Sequence, residues 1–489
     1  MTEPPSGPPA EPPTGPSEPP TGPDVARAAP PAAPLPASPA AAPAAVEAAA
    51  SAEAPTSQFR VPVRQLLRMT VPAAVIGIVC SLTLIALSDL AGLLEKWLWD
   101  ALPDSIGVDP DSALWIIALL TATGLAVGLV IRYAPGHAGP DPATTELVAP
   151  PLALRVLPGL AIALVLMLAG GVSLGPENPI MAINAALVVA AGVRFLPRVK
   201  VPVWMAMSTA GTIGAMFGTP VAAALMFSEL DPGDRRVPLW DRLFAPLVAA
   251  TAGALTSVQL APDLSLAVDM PSYSSHGAGD LLRAVVVALG AAALGLAAAY
   301  LFDPMHRLFH RVRNPVLLLT LGGLALGVIG AVGGPITLFK GLEQMKELPD
   351  QAGTTTALGF LALALVKLLA MLVASGTAFR GGRIFPVAFV GVALGFAVNT
   401  AWPSIPLPLA VGAATAGILV AATRSGWLSI FMAIAIVPNM TLLPSLIAAT
   451  LAAWLLVTNR AELIAKPTEP RTPPEVSRPA PPAAGPTTA

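Results

Sequence analysis

Apolar runs of bilayer length recur along the middle of this 489-residue chain, near 66–98, 113–133, 152–174, 236–260, 281–303, 315–338 and 354–379. A helix needs about 20 apolar residues to cross the hydrocarbon core. Within that core every backbone polar group must be satisfied internally, which restricts a chain of this kind to helices. Composition agrees: hydrophobic residues make up 55% and charged residues 11%, against about 25% charged in soluble domains. The mean hydropathy is +0.72. The expected fold class is an all-α polytopic membrane protein.

Shorter apolar runs fall at 178–193, 203–217, 219–231, 384–399, 408–423, 425–437 and 441–457, many interrupted by Pro or Gly. Broken helices are tolerated in a bilayer only where they are buried in protein or line a cavity. In transporters they mark sites built from half-helices near the midplane. One break carries a carboxylate: Gly175-Pro176-Glu177-Asn178-Pro179-Ile180. A charged group at that depth costs several kcal/mol or more and is by default a functional residue. The breakers end one helix and can open the next. Glu177 then sits on a helix N-terminus, whose unpaired N–H groups favour negative charge and can also hold a small anion. The plainer alternative is a surface loop with Glu177 as a solvated cap.

The remaining polar residues exclude several chemistries. A single cysteine, Cys80 in an apolar run, leaves no disulfide framework and no cysteine metal cluster. Of the four histidines, His137, His276, His306 and His310, only the last two have ligand spacing. They lie among Arg307, Arg311 and Arg313 and read as a basic solvated helix end rather than a metal site. No H-E-x-x-H helix, G-x-S-x-G elbow or paired aspartates occur in the spans, so no enzymatic activity, cofactor or metal is expected.

Residues 1–57 and 461–489 are rich in Pro and Ala and read as disordered tails around a membrane domain at 58–460, with halves near 58–260 and 261–460. Residues 1–57 lack the basic and apolar regions of a signal peptide. Arg60, Arg64 and Arg68 precede the first span, Arg307, Arg311 and Arg313 sit in a central loop, and Arg460, Lys466 and Arg471 follow the last. The positive-inside rule places all three groups, and both termini, on the cytoplasmic side of the cell membrane. A faint duplication is also visible. Pro179 has a counterpart in Pro386, 207 residues on, and Pro220 one in Gly426, 206 residues on.

These motifs, in this order, resemble the CLC family of voltage-gated chloride channels and chloride/proton antiporters, as a divergent bacterial ion-transport branch. Gly175, Glu177 and Pro179 match the family's G-R-E-G-P gate motif, and Gly382 and Pro386 match its G-x-F-x-P motif. The G-S-G-I-P motif is met loosely by Gly136-His137-Ala138-Gly139-Pro140. Phe217, Pro220 and Glu229 match the segment F-N-A-P-L-A-G-x-L-F-x-x-E. The resemblance covers about residues 62–460. It implies an inverted-repeat bundle of long and broken helices, some eighteen in all, and a homodimer with one pore per subunit. Helices near 203–231 and 408–437 would form the interface.

It further implies transmembrane anion transport with Glu177 as gate. The anion would lie among helix N-termini following three motifs: Gly136, His137, Gly139 and Pro140; Gly175, Asn178 and Pro179; Gly382, Arg383, Ile384, Phe385 and Pro386. Such N-termini supply partial positive charge weak enough to allow release. Several positions depart from the family. Pro176 replaces an arginine, and Arg383 brings a charge to an apolar position, either as a relocated anion ligand or as a side chain snorkelling to a vestibule. His137 stands in place of a coordinating serine or is an ordinary loop residue. The family's tyrosine ligand has no counterpart, since Tyr133, Tyr273 and Tyr300 all lie too early. Glu229 reads as structural or vestibular. Leu230 replaces the exchangers' internal proton acceptor, which favours passive chloride flux over coupled exchange. Lys367 is assigned to packing, with pairing to a helix-end carbonyl or lining of a vestibule as the alternatives. Fluoride transport, chloride/proton exchange and an unrelated secondary transporter are the competing readings.

Overall fold

The computed structural model describes residues 61–465 except 146–147, 231–235, 263–264 and 275–276. The expected tails at 1–57 and 466–489, and His276, lie outside the described residues. Residues 461–465, expected to belong to a tail, are packed instead: Leu463 and Ala465 are buried, and the Ala465 N–H donates to the Ala143 carbonyl at 2.8 Å.

The described residues form helices and no strand. The first half contains α1 (Val63–Lys96), α2 (Ala113–Tyr133), α3 (Leu157–Ala169), α4 (Glu177–Phe195), α5 (Val201–Phe217), α6 (Pro220–Leu230) and α7 (Leu239–Leu260). The second contains α8 (Ala278–Phe309), α9 (Pro315–Gly333), α10 (Ala357–Gly376), α11 (Ile384–Ala401), α12 (Leu407–Thr423), α13 (Gly426–Ile436) and α14 (Leu443–Val457). Nine helices among the described residues are long and apolar enough to cross a membrane. Their starts follow local chemistry. Ser112, Asn314, Thr356 and Ser425 each accept a backbone N–H as N-caps, and Pro occupies the first turn of α9 and α12.

The duplication is explicit in these boundaries. α4 and α11 start 207 residues apart (177 and 384), and α5 and α12 start 206 apart (201 and 407), as do α6 and α13 (220 and 426). One sequence expectation fails here. The run at 152–174 is not a full span, because α3 is 13 residues long and the chain breaks at Gly170–Gly171, where Gly171 has φ +82°. The positive φ is cheap only for glycine.

Burial separates the helices that face lipid from those that build the centre. α1 exposes Val71, Val75, Ile78, Val79 and Leu82. In α11, by contrast, Val387, Ala388, Phe389, Val390, Val392 and Ala393 are all buried. α12 is likewise buried from Pro408 to Ala421. It is therefore an internal helix and not part of the expected two-fold interface. Where α2 crosses α9, a Cβ on Gly124 would lie 2.2 Å from the Leu319 carbonyl oxygen, and one on Gly323 2.2 Å from that of Leu120. The two glycines let the backbones touch, the small-residue packing expected between helices in lipid.

Candidate functional site

The site forms where α3 and α10 stop short. Extended segments follow each break and meet at Gly175 and Gly382, which exchange N–H···O bonds of 2.8 and 2.7 Å in an isolated antiparallel bridge. One residue beyond the bridge on either side, Pro176 caps α4 and Arg383 caps α11. Two helix N-termini thus start beside one another deep in the bundle.

Glu177 is the first residue of α4 and is 1% exposed. The sequence placed its carboxylate on its own helix terminus. The structure keeps it there, at the first residue of α4, and also carries it across the repeat: Oε1 accepts the Ile384 N–H of α11 at 2.6 Å. Oε2 is buried with no hydrogen-bond partner. A Cβ on Gly382 would lie 2.2 Å from the Glu177 carboxyl carbon, and one on Gly175 2.0 Å from Oε2. Both motif glycines are needed to make room for the carboxylate.

Arg383 does not pair with Glu177 among the described residues. Its guanidinium lies 5.8 Å from the centroid of the Phe302 ring, within cation–π range. Its Nη1 is buried without a partner. The side chain lines a cavity of about 350 Å³ together with Asn178, Glu229, Ile384, Arg424 and Ser425. Asn178 also lines a neighbouring cavity with Gly139, Pro140, Pro179 and Arg380, so two of the motifs meet there and Asn178 borders both cavities. Phe385 and Pro386 are buried in the first turn of α11. The Phe385 ring lies 6.4 Å from that of Phe217, which lies 5.5 Å from Phe431. Glu229 reaches the N-terminus of α13, accepting the Gly426 N–H at 3.1 Å and a bond from the Ser425 hydroxyl. That contact fits the structural or vestibular reading.

The third expected helix N-terminus is not formed. Among the described residues between Pro140 and α3 the chain makes only two three-residue 3-10 turns, Pro142–Thr144 and Leu154–Val156. Gly136, His137, Ala138 and Gly139 all have positive φ, a tight left-handed run that turns carbonyls inward. The carbonyls of His137, Ala138 and Gly139 accept from the Arg380 guanidinium at 3.3, 3.1 and 3.0 Å. His137 itself turns back, with Nδ1 2.9 Å from the Ile131 carbonyl oxygen, which is the loop-residue alternative. The second half repeats the device. Lys367, fully buried, donates to the carbonyls of Thr337, Leu338 and Phe339 at 3.1, 2.7 and 2.7 Å. Residues 137–139 and 337–339 follow α2 and α9 at an offset of 200 residues. Lys367 thus takes the carbonyl pairing rather than simple packing.

Sequence reasoning missed Arg380, whose only signal was a charge between two apolar runs, three residues before Arg383. It also misplaced the His306/His310 pair. His306 is 4% exposed, and its Nε2 lies 3.0 Å from Asp141 Oδ2. Burial acts to raise the Asp141 carboxyl, but the hydrogen bonds to His306 and His310 and the Arg380 charge outweigh it. The carboxyl is held well below its ordinary range.

A profile of the family described as voltage gated chloride channel matches residues 120–458. The chain is 50% identical over 398 residues to YfeO of Escherichia coli K12 and of Escherichia fergusonii, proteins named provisionally for ion transport; the match covers 81% of this chain and 94% of theirs. Two solved structures share the fold. One is a slow cyanobacterial Cl−/H+ antiporter, with TM-score 0.66 and 14% identity over 80% of this chain and 94% of that one. The other is a CLC-type fluoride/proton antiporter, with TM-score 0.64 and 19% identity over 82% and 98%. With its helices paired across two inverted halves and its broken helices meeting at Glu177, this chain belongs to the CLC family of ion-transport proteins.

Proposed function

We propose that this protein moves small anions across the cell membrane, chloride first, as a passive flux gated by Glu177. The observation that carries the reading is the bond from the Ile384 N–H to Glu177 Oε1. A helix N-terminus that holds a carboxylate offers the same donors to a free anion once the carboxylate leaves. Arg383, with a buried unpartnered Nη1 on the wall of the adjoining cavity, supplies a second donor and a fixed positive charge. Its presence offsets the arginine that Pro176 replaces. Gly139, Pro140 and Pro179 line the neighbouring cavity, with Asn178 on the border of both, and act as wall rather than as direct ligands. The basic residues near both ends of the membrane domain support cytoplasmic termini. The family supports a homodimer, for which α6 and α13 remain available.

Two observations favour different coupling. Leu230 stands where exchangers place an internal carboxylate, and a leucine relays no proton, which supports passive flux. The two solved neighbours are both named as proton antiporters, one for chloride and one for fluoride, which supports exchange. Purified protein in liposomes, with chloride, fluoride and internal pH recorded together, separates these. Chloride efflux without stoichiometric proton movement is expected. Proton uptake at a fixed ratio to chloride or fluoride efflux establishes exchange instead.

A further inference from the structure

Apart from the anion pathway, one cluster of side chains converges without a role in it. Asp141 directly follows the 136–140 loop, and His306 and His310 occupy one face at the end of α8. The donor atoms Asp141 Oδ2, His306 Nε2 and His310 Nε2 lie within 4.8 Å of one another. Oδ2 is 3.0 Å from the first imidazole nitrogen and 3.4 Å from the second. A tetrahedral zinc with bonds of about 2.0–2.1 Å sets its donors about 3.3–3.4 Å apart, and octahedral geometry sets them about 2.9 Å apart. The two oxygen–nitrogen spacings lie within the range that these geometries span.

Two of the three donors, Asp141 and His310, are also held in orientation by a second hydrogen bond. The Ala143 N–H donates to Asp141 Oδ1 at 3.0 Å, which leaves Oδ2 for the imidazoles. His310 Nδ1 lies 3.0 Å from the His306 carbonyl oxygen and must donate to it. In the neutral ring this leaves the Nε2 lone pair facing an anionic oxygen, an arrangement completed either by a proton on the ring or by a metal ion. The two rings stack with centroids 3.9 Å apart, so both nitrogens present on the same side. Outer contacts of this sort fix the tautomer and ring orientation of metal-ligating histidines. Arg380, a neighbouring cation, has its guanidinium committed to the loop carbonyls. Arg307 pairs with Asp303 at 2.9 Å.

We propose that Asp141, His306 and His310 bind a divalent transition-metal ion of the zinc, cobalt or nickel class, with water in the open positions. Two imidazoles and one carboxylate suit these borderline ions and not the all-oxygen shells of calcium or magnesium. The ion would tie the end of α8 to the loop that walls the cavity beside Asn178.

The test uses tag-free protein in detergent, stripped with chelator, titrated with Zn2+ by calorimetry and with Co2+ by visible absorption. The expected result is one saturable site per chain, with cobalt bands of a nitrogen–oxygen coordinated ion. Asp141→Asn keeps the shape and the Ala143 contact but removes the ligand charge; His310→Ala alters a half-buried position beyond the helix end. Each should weaken binding more than about tenfold while the protein stays monodisperse. No saturable uptake by the wild type overturns the proposal. So does wild-type affinity in both variants.

Discussion

Gly175 and Gly382, equivalent residues of the two halves, pair with each other through reciprocal backbone hydrogen bonds of 2.8 and 2.7 Å. A residue that meets its own counterpart reciprocally lies on a two-fold relation, as in an isologous interface. The pseudo-symmetry axis of the duplication therefore passes through the site. This explains why the motif glycines and the helix starts share the offset of 207 residues (175 to 382, 177 to 384). The symmetry is broken by chemistry at one position: α4 opens with Glu177, and α11 opens with Ile384, whose N–H receives the carboxylate.

Replacing Gly382 by alanine should dislodge the gate without touching its charge. The added Cβ would lie 2.2 Å from the Glu177 carboxyl carbon, well inside van der Waals contact, and the nearest atoms all belong to that side chain. The side chain can swing away, so the helix termini stay intact. Gly382→Ala should therefore carry faster anion flux than wild type at neutral pH, measured in liposomes. Flux at or below the wild-type level would mean that Glu177 does not obstruct the path.

Much of this architecture was legible in the sequence because helix breakers are local signals. Pro179, Pro386 and the glycines ahead of them mark where helices stop and restart whatever surrounds them. The partners of buried charges were not legible, because they are set by tertiary approach. Arg380 and Lys367 lie in or between apolar runs, and nothing local says that each meets three consecutive carbonyls more than 25 residues away in sequence. The failed helix after Pro140 has a local cause. Four successive residues with positive φ turn the backbone carbonyls toward Arg380, and the chain that follows goes directly into the short turn Pro142–Thr144. His306 was misread because a basic neighbourhood in sequence says nothing of Asp141, 165 residues earlier.

The loop clamps should be structural rather than conductive. Lys367→Met keeps much of the stem's volume but leaves the carbonyls of Thr337, Leu338 and Phe339 without their donor. A buried polar group left unpaired costs about 1–3 kcal/mol, so the variant should unfold at a clearly lower temperature in detergent. The ion preference of the surviving folded fraction should match wild type. A change of selectivity with unaltered thermal stability would move Lys367 into the pathway.

Arg383 is expected to concentrate anions in the cavity that it shares with Asn178 and Ile384. Charges that line clefts raise local counter-ion concentration and entry rates by about 10–10³ at low salt. Arg383→Ala should lower chloride flux about tenfold or more at low ionic strength, with the deficit shrinking as salt screens the field. Arg383→Lys, which keeps the charge but not the guanidinium facing Phe302, should recover part of it. Unchanged conductance and selectivity in Arg383→Ala would leave the residue as packing against Phe302.

The last prediction joins the gate to its proton. Glu177 Oε1 accepts the Ile384 N–H at the α11 N-terminus, and in the proposed mechanism the ionised carboxylate there excludes a free anion. Protonation removes the charge that the N-terminus favours, so the side chain is released and the site is vacated. Flux should accordingly rise as pH falls and decline as pH rises. Glu177→Gln carries an amide oxygen that can still accept from Ile384, but with no net charge and no titration. Its flux should equal or exceed that of wild type at low pH and lose most of the pH dependence. Because Leu230 offers no proton acceptor, a chloride gradient should drive little proton uptake in wild type and none in Glu177→Gln. Simultaneous recording of chloride and internal pH checks both arms. A Glu177→Gln protein with wild-type flux and wild-type pH response would reduce Glu177 to a cap that joins the two halves. Proton pumping at a fixed ratio would require a relay other than residue 230.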